Sequence, residues 1–229
     1  MGLVDQVEIG NPTQPHCATV LLLDTSGSMD GEKIAHLNQA LSQFKDETLK
    51  DDLARKRVDL AVLTFGGSVQ LVQDFCSIED FEPPTLSASG GTPLGEAILK
   101  AADMIEERKR KYKQQGIDYY RPWLFLITDG APTDMGPGDS VWNQVVARVH
   151  AGESEKKFLF FAVAVEPADT GTLAQIAPPS RPPARLIGTK FAEMFSWFSK
   201  SQAKVSSSKV GEQIQIESPV AAGWGEFSV

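Results

Sequence analysis

Three apolar runs constrain this chain more than anything else in it. They are "VLLL" within "CATVLLLD" (17–24), "WLFLI" within "RPWLFLITD" (121–129) and "FLFFAVAV" within "KFLFFAVAVE" (157–166). A strand with one wet face alternates apolar and polar residues, so near-continuous apolarity requires cover on both faces. Between these runs lie segments with helical spacing. Ile34, Leu37, Leu41 and Phe44 recur along "GEKIAHLNQALSQFKDETLKDDLARK", which reads as one helix. Strands alternating with helices of more than about ten residues imply right-handed crossovers and a parallel sheet. The expectation is one doubly wound α/β domain: a mostly parallel central sheet, helices on both faces.

Shorter signals complete the outline. "RVDLAVLTFGG" and "SVQLVQDFC" face each other across Gly66 and Gly67, which predicts a hairpin and one antiparallel edge strand. "TPLGEAILKAADMIEERKRKYKQQG" reads as a helix with Pro93 at its start and Gly116 at its end. "SVWNQVVARVHAGESEK" and "TLAQIA" read as helices, "ARLIG" as a brief edge strand. In the last helix, "FAEMFSWFSKSQAKV", Phe191, Met194, Phe195 and Phe198 share a face. The division expected is a lead over 1–15, a domain over 16–203 and a tail over 204–229. In that tail "SSSK" resembles a linker, and Trp224 and Phe227 are expected to dock on the domain, a partner handle being the other reading.

With 229 residues, 41% of them hydrophobic, the chain can bury one substantial core. Its net charge of −8 and pI near 5.0 argue against nucleic acid or an anionic membrane as a partner, since both call for a basic footprint. The basic run "EERKRKYKQQG" (106–116) reads as a solvated helix end that complements the helix dipole. Cys17 and Cys76 read as buried, reduced thiols. The N-terminal stretch lacks the basic region of a secretory signal, and "MGLVDQ" lacks the serine or threonine of a myristoylation motif. No apolar run approaches the roughly 18 residues that a membrane span needs. A cytoplasmic protein is expected.

Two of the apolar runs end on an aspartate, Asp24 and Asp129. In an open parallel sheet, ligands bind beyond the carboxyl ends of the strands, where the strand order reverses. If those strands are neighbours there, two carboxylates share one crevice. Like charges about 4 Å apart repel by about 4 kcal/mol at an effective dielectric near 20. Such a pair shares a proton, stands apart, or holds a cation. The hydroxyls nearby favour the cation. Ser26 and Ser28 follow Asp24 on a turn that Gly27 tightens, and Thr92 opens a helix after "SGG". Carboxylate and hydroxyl oxygens are hard ligands suited to Mg²⁺, Mn²⁺ or Ca²⁺. A competing reading makes these serines and Thr92 ordinary helix N-caps. The order "DTSGSM", "GGTPLGEAI", "ITDGAPTD", each at a strand or loop end, weighs against it.

Over Thr19 to Phe198 the chain resembles the von Willebrand factor A-type domains, whose metal-ion-dependent adhesion site has the pattern DxSxS, then a threonine, then an aspartate. Asp24, Ser26, Ser28, Thr92 and Asp129 match it without departure. The resemblance implies that the serines and threonine bind the metal directly or through water, that the aspartates often act through water, and that an open position accepts a partner's acidic residue. Asp30 and Asp134 are expected only at the rim. Within the family, the short lead, "LLLDTSGSM" and "GGTPLGEAI" look like the bacterial intracellular TerY/YegL-like group. That likeness implies a tellurite-resistance or stress-response setting, with a kinase-like protein or a PP2C-type phosphatase as partner.

Enzyme chemistry finds less support. An aspartyl-phosphate phosphatase needs a second acid two residues past its nucleophile, and Ser26 stands there. A serine hydrolase needs an activating histidine. His16 precedes the first strand, at the far end from Ser26, while His36 and His150 fall in helices, and each reads as a surface or satisfied side chain. No phosphate-binding glycine loop of the nucleotide-binding kinds occurs. The expected function is a non-catalytic, metal-dependent interaction module. The alternatives are a metal-dependent phosphatase and a scaffold acting through its tail without metal.

Overall fold

The computed structural model describes residues 9–168 and 170–227. The readings drawn from "MGLVDQ" fall outside them. The strands are β1 (Cys17–Asp24), β2 (Val58–Gly66), β3 (Ser68–Ser77), β4 (Trp123–Thr128), β5 (Leu159–Ala164), β6 (Ala184–Leu186) and β7 (Gly225–Phe227). The helices are α1 (Glu32–Thr48), α2 (Asp52–Arg57), α3 (Leu94–Gln114), α4 (Ser140–Ser154), α5 (Thr170–Ile176) and α6 (Phe191–Ser206). One seven-stranded sheet results, in the order β3-β2-β1-β4-β5-β6-β7. Its pairs from β2 through β6 are parallel. The doubly wound α/β expectation holds.

Period-two alternation along β1 divides its side chains between two cores. Ala18, Val20 and Leu22 pack with α3, α4 and α5. Cys17, Leu21 and Leu23 pack with α1 and α6, where Phe44, Phe195 and Phe198 meet at ring distances of 5.3–6.3 Å. Every residue of β1 is buried, which is why its sequence reads as an unbroken apolar run.

Four local readings need correction. The first long helix is two: α1 stops at Thr48, and the Asp51 carboxylate accepts the amides of Leu53 (3.0 Å) and Ala54 (2.7 Å) to start α2. A short acid that captures backbone amides favours a new N-terminus over helix continuation. The sheet also has a second antiparallel edge beyond β3: three tail residues form β7 against β6, so "ARLIG" lies inside the sheet. The basic run is not wholly solvated, because Arg108 and Lys109 are buried. Cys76 is only half-buried; Cys17 is fully buried, and desolvation raises its thiol to about 12.

The tail lies on the domain. Trp224 is 1% exposed, its ring 5.2 Å from Trp197, while Phe227 remains 40% exposed. Trp197 Nε1 donates to the Glu217 carbonyl (2.8 Å), and Lys190 Nζ donates to that of Gly223 (2.9 Å). Trp224 is therefore committed to internal packing.

Candidate metal centre

Strands β2 and β3 lie on one side of β1, and β4 to β7 on the other. The strand order therefore reverses between β1 and β4, the expected place for a ligand crevice. Leu23 stands opposite Ile127 in the β1–β4 register. The next residues are Asp24 and Thr128, and the Thr128 hydroxyl donates to Asp24 Oδ2 at 2.5 Å. Asp129 follows, just past the end of β4.

Asp24 is fully buried. Besides Thr128, it accepts the Ser26 amide on Oδ1 at 2.8 Å. Burial is the main influence on its carboxyl and raises it above the ordinary carboxylate range. Bonds from Ser26 and Thr128 lower it, and the charge on Asp129 adds to the rise. Ser26 Oγ and Ser28 Oγ are 3.0 Å apart, and Ser28 Oγ donates to Asp129 Oδ1 at 2.6 Å. Thr92 Oγ1 and Ser28 Oγ lie 3.1 and 3.7 Å from the point where a side chain on Gly130 would begin. All five residues named from the sequence thus meet at one end of the sheet.

Backbone bonds lace the contributing loops together. Gly27 N–H donates to Gly90 O (2.9 Å), Ser89 N–H to Thr25 O (2.8 Å) and Gly67 N–H to Gly91 O (2.8 Å). Two glycines make this possible. A Cβ on Gly66 would stand 2.2 Å from the Thr25 carbonyl oxygen. Gly90 has φ +73° and would strike the Gly67 backbone at 2.6 Å.

Several contributors were not visible in the sequence. The Thr133 hydroxyl accepts the Thr92 amide (3.0 Å), while Thr133 N–H donates to Thr92 O (2.9 Å). Asp134, expected at the rim, accepts the amides of Gly95 (3.1 Å) and Glu96 (2.8 Å). It caps α3 from a distant loop, so the Thr92 hydroxyl is not engaged as that helix's cap. Lys33 reaches back from α1 to donate to Asp129 Oδ2 and to the Ser28 carbonyl (2.7 Å).

Chemically, the arrangement offers two carboxylates and three hydroxyls, all hard oxygen donors that could hold Mg²⁺, Mn²⁺ or Ca²⁺. An ammonium group already drawn onto Asp129 shows that the cluster attracts positive charge. Among the described residues no three His, Cys, Asp or Glu side chains gather as a metal cluster.

A sequence profile of the von Willebrand factor type A domain matches residues 19–197. The chain belongs to the von Willebrand factor A (VWA) family. Solved structures share this VWA fold at low identity. A von Willebrand factor type A protein from Catenulispora acidiphila matches with TM-score 0.64 and 17% identity, covering 83% of this chain and 43% of that one. The pilus adhesin SpaC from Lactobacillus rhamnosus GG matches with TM-score 0.65 and 13% identity, covering 86% and 32%. Among curated proteins, the inter-alpha-trypsin inhibitor heavy chain H4 of Sus scrofa is 27% identical over 124 residues. The match spans 50% of this VWA chain but only 12% of that protein. VWA domains are generally protein-interaction modules.

Proposed function

We propose that this VWA domain is a metal-dependent interaction module. A hard divalent cation, Mg²⁺ foremost and Mn²⁺ or Ca²⁺ by the same chemistry, binds among Asp24, Ser26, Ser28, Thr92 and Asp129. The ion supplies a Lewis-acidic position that takes a carboxylate from a protein partner. The observation carrying this reading is the meeting of those five side chains at the β1–β4 reversal, with both acids buried. Mg²⁺ retains several waters and needs few protein ligands, so two charged groups suffice. A low count of protein charges leaves the ion electrophilic toward an outside acid.

Calorimetric titration with Mg²⁺ tests the site. Wild-type protein binds, and the double variant Asp24→Ala/Asp129→Ala does not; equal affinity in both would overturn the assignment. Capture of partners with and without EDTA tests the function, since retention in EDTA contradicts it. Steady Mg²⁺-dependent turnover of a generic phosphoester, lost in Asp24→Asn, would favour the phosphatase alternative instead. Support for a non-catalytic role comes from Ser26, whose amide donates to Asp24 and which stands where that chemistry needs an acid. Burial of Trp224 weakens the metal-independent tail reading.

The setting we propose is that of the TerY/YegL-like group: a bacterial cytoplasm under tellurite or related stress, with a kinase-like protein or PP2C-type phosphatase presenting the acid. Its support is the resemblance of the motifs. Among the described residues no helix is long and apolar enough to cross a membrane.

A further inference from the structure

Lys33 is the second residue of α1, whose N-cap, Gly31, offers no side-chain bond. A cation in the first helical turn opposes the helix dipole. The helix itself therefore gives no reason for a lysine there. Its ammonium instead leaves the helix and enters the cluster described above. It donates to Asp129 Oδ2 and to the Ser28 carbonyl, between two of the hydroxyl-bearing loops. The Asp129 side chain is fully buried, whereas Lys33 keeps 23% of its side chain exposed. Among the described residues Lys33 forms no other ion pair.

The charge pattern is uneven. Asp129 has Ser28 on one oxygen and the ammonium on the other. Asp24 has neutral donors only, the Ser26 amide and the Thr128 hydroxyl. One ammonium cancels one of the two carboxylate charges; a divalent ion cancels both. The ammonium and the ion compete for Asp129, because two cations a few ångströms apart in a partly buried place repel one another.

We propose that Lys33 is a tethered rival for the metal. Its ammonium occupies the cation-seeking side of Asp129 and must swing out, on its four-carbon stem, before a divalent ion can settle. The inference rests on the proposed metal site and adds a regulator to it. The protein carries its own weak competitor, always at hand, which sets how much free Mg²⁺ is needed to arm the module. Lysine suits this role because its ammonium is a compact charge on a flexible arm with an accessible outer course.

Mg²⁺ titration calorimetry on wild type, Lys33→Met, Lys33→Arg and Asp24→Ala/Asp129→Ala separates the possibilities. Removing a charge-assisted bond that metal entry must break should tighten Mg²⁺ binding about tenfold in Lys33→Met. Lys33→Arg keeps the charge and stays nearer wild type than Lys33→Met, which separates loss of the charge from loss of the native side chain. Unchanged or weaker binding by Lys33→Met, with wild type still binding and the double variant not, overturns the rival while leaving the metal site standing. Absence of Mg²⁺ binding in every protein overturns both. A second readout follows the amine itself. Acylation of Lys33, measured by mass spectrometry, rises several-fold on adding Mg²⁺ to wild type and stays flat in Asp24→Asn, which keeps the Asp129–Lys33 contact. Equal labelling of wild type with and without Mg²⁺ counts against the displacement.

Discussion

Two buried acids stand at opposite ends of the same sheet and are treated in opposite ways. Asp59, near the start of β2, receives His16 Nδ1 (3.1 Å), Arg108 through Nη2 (2.6 Å) and the Tyr112 hydroxyl (2.5 Å). Burial pushes its carboxyl up, but the His16 bond and the Arg108 charge outweigh that and hold it below the usual range. Asp24, at the end of β1, has no cation against it, and burial leaves its carboxyl raised. An acid neutralised by its own fold is a structural part. One left short of positive charge holds affinity in reserve for something from outside.

Breaking the closed end should have the largest effect. Arg108→Ala leaves the Asp59 charge buried without its guanidinium and should cost about 3–5 kcal/mol of stability in urea unfolding. A loss below 1 kcal/mol would mean that the two ends are not so different. At the open end, Gly66→Ala forces the Thr25 segment aside. It should cost about 1–3 kcal/mol and also weaken Mg²⁺ binding, a double effect that Arg108→Ala should lack.

Asp24→Asn sharpens the contrast by reversing its sign. The raised carboxyl means that ionised Asp24 disfavours the folded state, so a neutral amide relieves it. In EDTA this variant should be about 0.5–2 kcal/mol more stable than wild type, and the thermal shift on adding Mg²⁺ should vanish. The smallest effect is the pH dependence. Asp59 has a depressed folded value, so its contribution is present above the ordinary 3.8 and is lost as pH falls through the folded value. Acid unfolding should therefore be shallower in Arg108→Ala, where that depression is reduced.

The parallel sheet was legible because β1, β4 and β5 are short, fully covered and almost purely apolar. Of the five candidate residues, Asp24, Ser26, Ser28 and Asp129 were legible because they stand at or just past strand ends, which can be read from where an apolar run meets an acid, and Thr92 because it opens a helix after "SGG". What escaped notice depends on contacts far apart in the chain. Arg108 sits in a run of cations that looks solvated, and its burial is explained by partners from elsewhere in the chain, Asp59 from β2 and the Phe75 ring from β3. Asp134 caps α3 from 39 residues away. Three tail residues pair with β6, too few for any periodicity to register. Lys33 resembles any lysine near a helix start until Asp129 is placed beside it.

The backbone lacing among Gly27, Gly67, Ser89 and their carbonyl partners bears on speed as well as shape. Loops fastened to one another before a guest arrives need not become ordered when it does, so capture would cost little conformational entropy. The slow event would then belong to the ion, as it sheds tightly held water, and to one swinging amine. Such a module would answer a rise in free cation much as a rigid chelator does, with little change in heat capacity and no refolding of the frame.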